Sequence, residues 1–231
     1  MTTTSKAGFK LPTVTAGAKQ RASRIYAALE KAYPDATCAL DYTTPHELLI
    51  ATILSAQSTD VGVNKATPAL FQAFPAPADY AAVSPEDIQP LISTIGLYRN
   101  KSKSVHAAMT RVVEHYDGEI PDTMDDLLSL RGVARKTANV VLGNAFGIND
   151  GVVVDTHVMR LSTRFGLTTQ TTPEKIERDL MALLPRPKWT QVSHLLIAHG
   201  RAVCKARHPL CAGDPICRRY CQCDWCDADS S

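Results

Sequence analysis

Six of the seven cysteines (Cys204, Cys211, Cys217, Cys221, Cys223 and Cys226) fall within the last 28 residues, and no other feature constrains the fold as strongly. In a reducing compartment such a cluster points to a metal site more often than to a disulfide framework. Four thiolates suit an iron–sulfur cluster, and they equally suit tetrahedral zinc. Cys38 stands alone and reads as a small buried apolar residue. The C-terminal segment is therefore expected to be irregular and held by its cysteines.

Upstream, the apolar periodicity is helical almost throughout. From Arg21 to Tyr33, residues Ile25, Ala28, Leu29 and Ala32 recur at helix spacing. Thr44-Pro45-His46-Glu47 reads as a capping box with proline in the first turn, launching the apolar run Leu48–Leu54. Ser84-Pro85-Glu86-Asp87 and Thr172-Pro173-Glu174 repeat the design, while Gly96, Asp117-Gly118, Gly132 and Gly147 mark breaks. Only Val152–Val154 alternates like a strand, and it is too short to matter. The pattern predicts an all-α protein of about ten helices, without solenoid repeats. The chain's 231 residues are ample for a real core.

Composition leaves function open. A net charge of +2 permits a DNA partner without arguing for one, so any DNA-binding surface must come from local clusters of Lys and Arg. No stretch approaches the ~18 apolar residues of a membrane span. Met1 to Gln20 lacks the apolar centre of a signal peptide, giving the expectation of a cytoplasmic protein with no membrane partner. Residues 1–18, rich in Thr, Ala and Gly, read as a disordered tail.

The segment Leu130-Arg131-Gly132-Val133-Ala134-Arg135-Lys136-Thr137-Ala138-Asn139 reads as helix, glycine turn, helix. The second helix opens with unsatisfied backbone N–H groups, which bind a DNA phosphate without reading sequence. Its buried stripe is expected at Ala138, Val141, Leu142 and Ala145. Lys136 lies two residues before Ala138, roughly 200° around the axis, and so points away from the core. The positive end of the helix dipole disfavours an ammonium there and suits a nucleophilic amine. A solvated lysine on an ordinary helix is the bland alternative. Nineteen residues on, Val153-Val154-Asp155-Thr156-His157 opens the helix containing Val158, Leu161 and Phe165. Asp155 reads as an N-cap, or as a partner for the lysine in imine chemistry. The amine would attack C1′ of a deoxyribose and the carboxylate would stabilise the developing positive sugar or assist proton transfer.

These blocks, with Leu54-Ser55-Ala56-Gln57-Ser58-Thr59-Asp60 and Thr94-Ile95-Gly96-Leu97-Tyr98 before them, resemble the endonuclease III family of helix-hairpin-helix DNA glycosylases, from about Arg21 to Cys223. The resemblance implies a bifunctional glycosylase and abasic-site lyase, acting as a monomer in the bacterial nucleoid on double-stranded DNA with an oxidised pyrimidine or abasic site. It assigns Lys136 as Schiff-base nucleophile and Asp155 as second catalytic group. Because the reacting carbon is inaccessible in the stack, the nucleotide is flipped out. The resemblance gives Gln57 the vacated space and Leu97 a wedge in the opposite strand. Without it, Leu97 reads as well as core, and Gln57 as a polar residue at a helix end. Gly132 and Ala134 form the phosphate-binding hairpin. The implied architecture is a six-helix domain over residues 39–150 and a cluster domain over 19–38 and 151–231, with the DNA cleft between them.

Departures accompany the matches. The family hairpin reads Leu-Pro-Gly-Val-Gly, whereas Arg131 and Ala134 stand here for the proline and second glycine, and Leu128 for a common acidic residue. If position 134 needs positive φ, alanine costs on the order of 1 kcal/mol there. A methyl group would also crowd a phosphate.

The family's [4Fe–4S] spacing is C-x6-C-x2-C-x5-C. Cys204 and Cys211 keep the first gap, but Asp214 occupies the third place. A three-residue insertion before Cys217 restores the pattern through Cys223, leaving Cys221 and Cys226 as spares. The expected ligands are Cys204, Cys211, Cys217 and Cys223. Between the first two lie Lys205, Arg207 and His208, with Arg201, Arg218 and Arg219 close in sequence, a set of cations suited to phosphates or merely to solvent. Two other classes stay open: a damage-binding DNA protein with little catalysis, and a metal-stabilised interaction module. Adenine removal is disfavoured by the lysine, since relatives with that activity lack the amine.

Overall fold

The computed structural model describes residues 10–207 and 209–223, and among these every regular element is helical. Packing divides the chain into a middle unit, Cys38–Ile148, and a flanking unit that joins Met1–Thr37 to Asn149–Ser231. The flanking unit begins with α1 (Ala16–Ala32). The middle unit holds α2 (Pro45–Ser55), α3 (Asp60–Ala73), α4 (Pro77–Ala81), α5 (Pro85–Ile88), α6 (Tyr98–His115), α7 (Met124–Leu128) and α8 (Arg135–Ala145). It therefore carries seven α-helical segments where six were expected, three of them of five residues or fewer. The flanking unit resumes with α9 (Thr156–Arg164), α10 (Pro173–Leu183), α11 (Trp189–Ala202) and α12 (Pro215–Tyr220). Short 3-10 turns occupy Gln89–Ile92 and Arg186–Lys188. No helix is long and apolar enough to cross a membrane.

The capping residues act where their side chains predict. Thr44 Oγ1 accepts from Glu47 N at the head of α2, and the Glu47 carboxylate reaches back to Thr43 rather than to Thr44. Ser84 and Asp87 close a full capping box, whereas Thr172 begins α10 without a side-chain cap. All seven residues of the run Leu48–Leu54 are buried, so α2 is wrapped on every side, by α3, α6 and α8. Cys38 is half-buried and packs on this middle core.

In the flanking unit α1 packs on α10, α11 and α12, and α9 packs on α10 and α11. Their shared core includes Ile25, Leu29, Val158, Leu161, Phe165, Leu195 and the cysteines 204, 211 and 217. Val152, Val153 and Val154 are buried but form no strand. The segment read as a tail is partly built in: Thr15 caps α1 and Leu11 and Val14 pack on the core, while residues 1–9 lie outside the described residues.

Candidate functional site

The hairpin turn lies between α7 and α8. Gly132 has φ +84°, and a Cβ added there would stand 2.9 Å from Ser104 Cβ on α6, so both conformation and space demand glycine. Ala134 is the N-cap of α8 at φ −98°, ψ 170°. The position is extended, and the strain expected of alanine does not arise. An alanine offers no oxygen, so the first amides of α8 find no acceptor on their N-cap side chain. Lys136 is the second residue of α8, exposed, with no hydrogen-bond or ion-pair partner among the described residues. Ala138, Val141 and Leu142 are buried behind it and Ala145 is half-buried.

Gln57 and Leu97 are both exposed, and both are left-handed, at φ 55° and 60°. Leu97 exposes 58% of its surface, which excludes the core reading. Its carbonyl accepts from Lys101 N at the start of α6. Lys101 itself was missed: its ammonium is buried and donates to the Leu54 carbonyl at 2.8 Å and Ser58 Oγ at 2.9 Å.

Asp155 belongs to the flanking unit and Lys136 to the middle one, so each is placed by its own core. Asp155 is the N-cap of α9, with Oδ1 accepting from Val158 N at 2.8 Å. The carboxylate is half-buried and feels the charge of Arg160, and its Oδ2 makes no hydrogen bond among the described residues. Two arginines of α9 tie that helix to the first cysteine. Arg160 donates to the carbonyls of Gly200 and Cys204, and Arg164 donates to Cys204 Sγ at 3.1 Å and to the Lys205 carbonyl.

The sulfurs of Cys204, Cys211 and Cys217 lie within 4.8 Å of one another, all buried, and this group can hold a metal ion. Cys204 is driven far toward the thiolate by hydrogen bonds from Cys217 and Cys221, with Arg164 adding its charge. Cys217 is pushed up through its hydrogen bond to Cys204, and burial pushes Cys211 up to about 11. Cys221, expected as a spare, thus touches the group, and Cys223 follows at 3.0 Å from Cys221. Cys226 lies outside the described residues. Asp214 caps α12 by accepting from Cys217 N at 2.7 Å, and its carboxylate also groups with His199 and the Cys217 thiol, their ligand atoms within 4.8 Å of one another. His199, buried on α11, brings Nε2 to 3.2 Å from Cys217 Sγ, with Tyr33 Oη on its other nitrogen. His199 could have been suspected from its place five residues before Cys204; Arg164 carried no signal. Lys205, Arg207, Arg201, Arg218 and Arg219 are all exposed, and His208 lies outside the described residues.

Residues 50–186 match the family model described as HhH-GPD superfamily base excision DNA repair protein. The chain is 58% identical to Endonuclease III of Synechocystis sp. over 196 residues, 85% of this chain and 90% of that one. It is 44% identical to Endonuclease III of Bacillus subtilis over 185 residues, covering 80% and 84%. A solved structure of a trapped endonuclease III–DNA covalent intermediate superposes with a TM-score of 0.84 at 40% identity, covering 91% of this chain and 97% of that one.

Proposed function

We infer the reaction from one premise: this chain belongs to the HhH-GPD superfamily of base excision DNA repair proteins, in its endonuclease III branch. It is a DNA glycosylase and abasic-site lyase. We propose that it removes oxidised pyrimidines and that Lys136 carries the chemistry as an imine. The observation that most supports this is the placement of Lys136, an exposed and unpartnered amine one residue inside α8, directly after the Gly132 turn.

The hairpin amides and the neighbouring Arg131 and Arg135 take a phosphate of the damaged strand. Gln57 fills the space left by the extruded nucleotide and Leu97 wedges the opposite strand. The Lys136 amine then attacks C1′, and the glycosidic bond breaks as the base leaves with a proton. Asp155, through the oxygen not used in capping, stabilises positive charge on the sugar, and the proton lost by the attacking amine passes by way of solvent to the departing base. Opening of the sugar ring gives the imine. Loss of a C2′ proton expels the 3′ phosphate by β-elimination, and water releases the amine.

Cys204, Cys211 and Cys217, with a fourth thiol from the Cys221/Cys223 pair, would hold a [4Fe–4S] cluster. The donor set fits: three buried thiols converge, and an arginine donates to one sulfur and offsets its charge. When bound, the cluster supplies a rigid anchor rather than a reaction step. Lys205 and Arg207, on the loop between the first two ligands, then face phosphates.

Borohydride trapping on duplexes bearing thymine glycol or an abasic site tests this reading. The wild-type chain should give a covalent adduct on both, and Lys136→Ala on neither. An adduct on the abasic site alone would leave a lyase of other base specificity. No adduct on either, from protein with its metal intact, would favour the damage-binding alternative.

A further inference from the structure

Lys101 has no role in the chemistry just described, yet its burial requires an account. It exposes 5% of its surface, and no carboxylate partners it among the described residues. Burial alone pushes its pKa down. An uncompensated ammonium in a core is costly, and a methionine would fill the same volume without the charge. What the ammonium gains is specific. Its two hydrogen bonds go to Leu54 O, in the last turn of α2, and to Ser58 Oγ, on either side of Gln57. A cation donating to the closing carbonyls of a helix meets the negative end of its dipole. Its own backbone N–H bonds the Leu97 carbonyl at 3.0 Å.

One residue therefore grips both exposed loops. The two lie side by side: a Cβ added at Gly96 would fall 4.0 Å from the Gln57 carbonyl and 3.9 Å from Ser58 Oγ. Among the described residues three non-glycines have positive φ, and two of them, Gln57 and Leu97, flank this contact. Such backbone persists only where the surroundings over-determine it.

We propose that Lys101 is a positioning residue that holds the Gln57 and Leu97 loops as one preformed pair for entry into the DNA stack. The role rests on the reading of those two residues given above. Lys101 touches neither DNA nor the reacting sugar; it sets the geometry of the side chains that do.

The test follows unstacking rather than bond cleavage. A duplex carries 2-aminopurine opposite an abasic site, and its fluorescence rise on mixing reports entry of the loops. Lys101→Met should slow that rise about tenfold, while binding to undamaged duplex, governed by phosphate contacts, stays within about twofold. Gln57→Ala should slow the wild-type protein by a similar factor, but by less than about threefold in the Lys101→Met background, because both changes remove one device. Multiplicative effects, or a parallel loss of undamaged-duplex binding, would overturn the proposal. If Lys101→Met does not fold, Ser58→Ala carries the test: it removes one acceptor and should slow the rise about threefold, again without multiplying with Gln57→Ala, and an unchanged rate overturns the proposal. A wild-type chain that unstacks the duplex but forms no borohydride adduct would remove the lyase reading and leave this one intact.

Discussion

Gly132 and Ala134 stand two residues apart in one turn and obey different rules. Gly132 is left-handed and closely packed, so Gly132→Ala meets both a backbone penalty and Ser104. It should lose about 1–3 kcal/mol, visible as a clear drop in thermal midpoint. Ala134 is extended, so the methyl brings no strain to the folded chain. On the proposed reading its consequence falls on the ligand, since Ala134 stands at the head of the helix whose first amides would take a phosphate. Ala134→Gly should leave the midpoint within about 2 °C, because glycine is no worse than alanine at an N-cap. It should tighten binding to an abasic duplex about two- to fivefold in an anisotropy titration, a fraction of a kcal/mol. Unchanged affinity would mean that the phosphate seats away from position 134. Nothing in the structure explains the leucine at 128.

At the head of α9, the proposed reading gives one side chain a part in both fold and chemistry. Asp155 caps the helix with Oδ1, and α9 is bound to the Cys204 segment by Arg160 and Arg164. Capping needs only an oxygen, which asparagine also provides; charge stabilisation needs the carboxylate. Asp155→Asn should therefore keep stability within a few tenths of a kcal/mol yet slow single-turnover base release by at least about 100-fold. Asp155→Ala should lose the same rate and about 1 kcal/mol besides. Denaturant melts set beside single-turnover rates check the split. Equal stability of the two variants would mean the cap contributes little, and a fast Asp155→Asn would remove Asp155 from the mechanism.

At the scale of the whole molecule, the features legible in the sequence were local ones. Threonine and serine caps, a fully apolar α2, the glycine turn and the clustered cysteines are each written within a few adjacent residues. What escaped was long-range or conformational. Lys101 meets Leu54 across 47 residues, and Arg164 meets Cys204 across 40. A left-handed glutamine or leucine carries no glycine to betray it. The same locality predicts how the chain would respond to losing a metal held by the three converging thiols. The three converging cysteines belong to the core of the flanking unit, whereas the core of Cys38–Ile148 contains none of the clustered thiols. A site that exists only in the folded state couples its binding energy to that fold. Chelation should therefore raise amide exchange in α9, α11 and α12 by at least about 100-fold while α2, α6 and α8 keep their protection. Uniform loss of protection would mean that the two cores melt as one, and no loss anywhere would mean that the packed thiols, with Arg160 and Arg164 tying the Cys204 segment to α9, hold the segment without a metal.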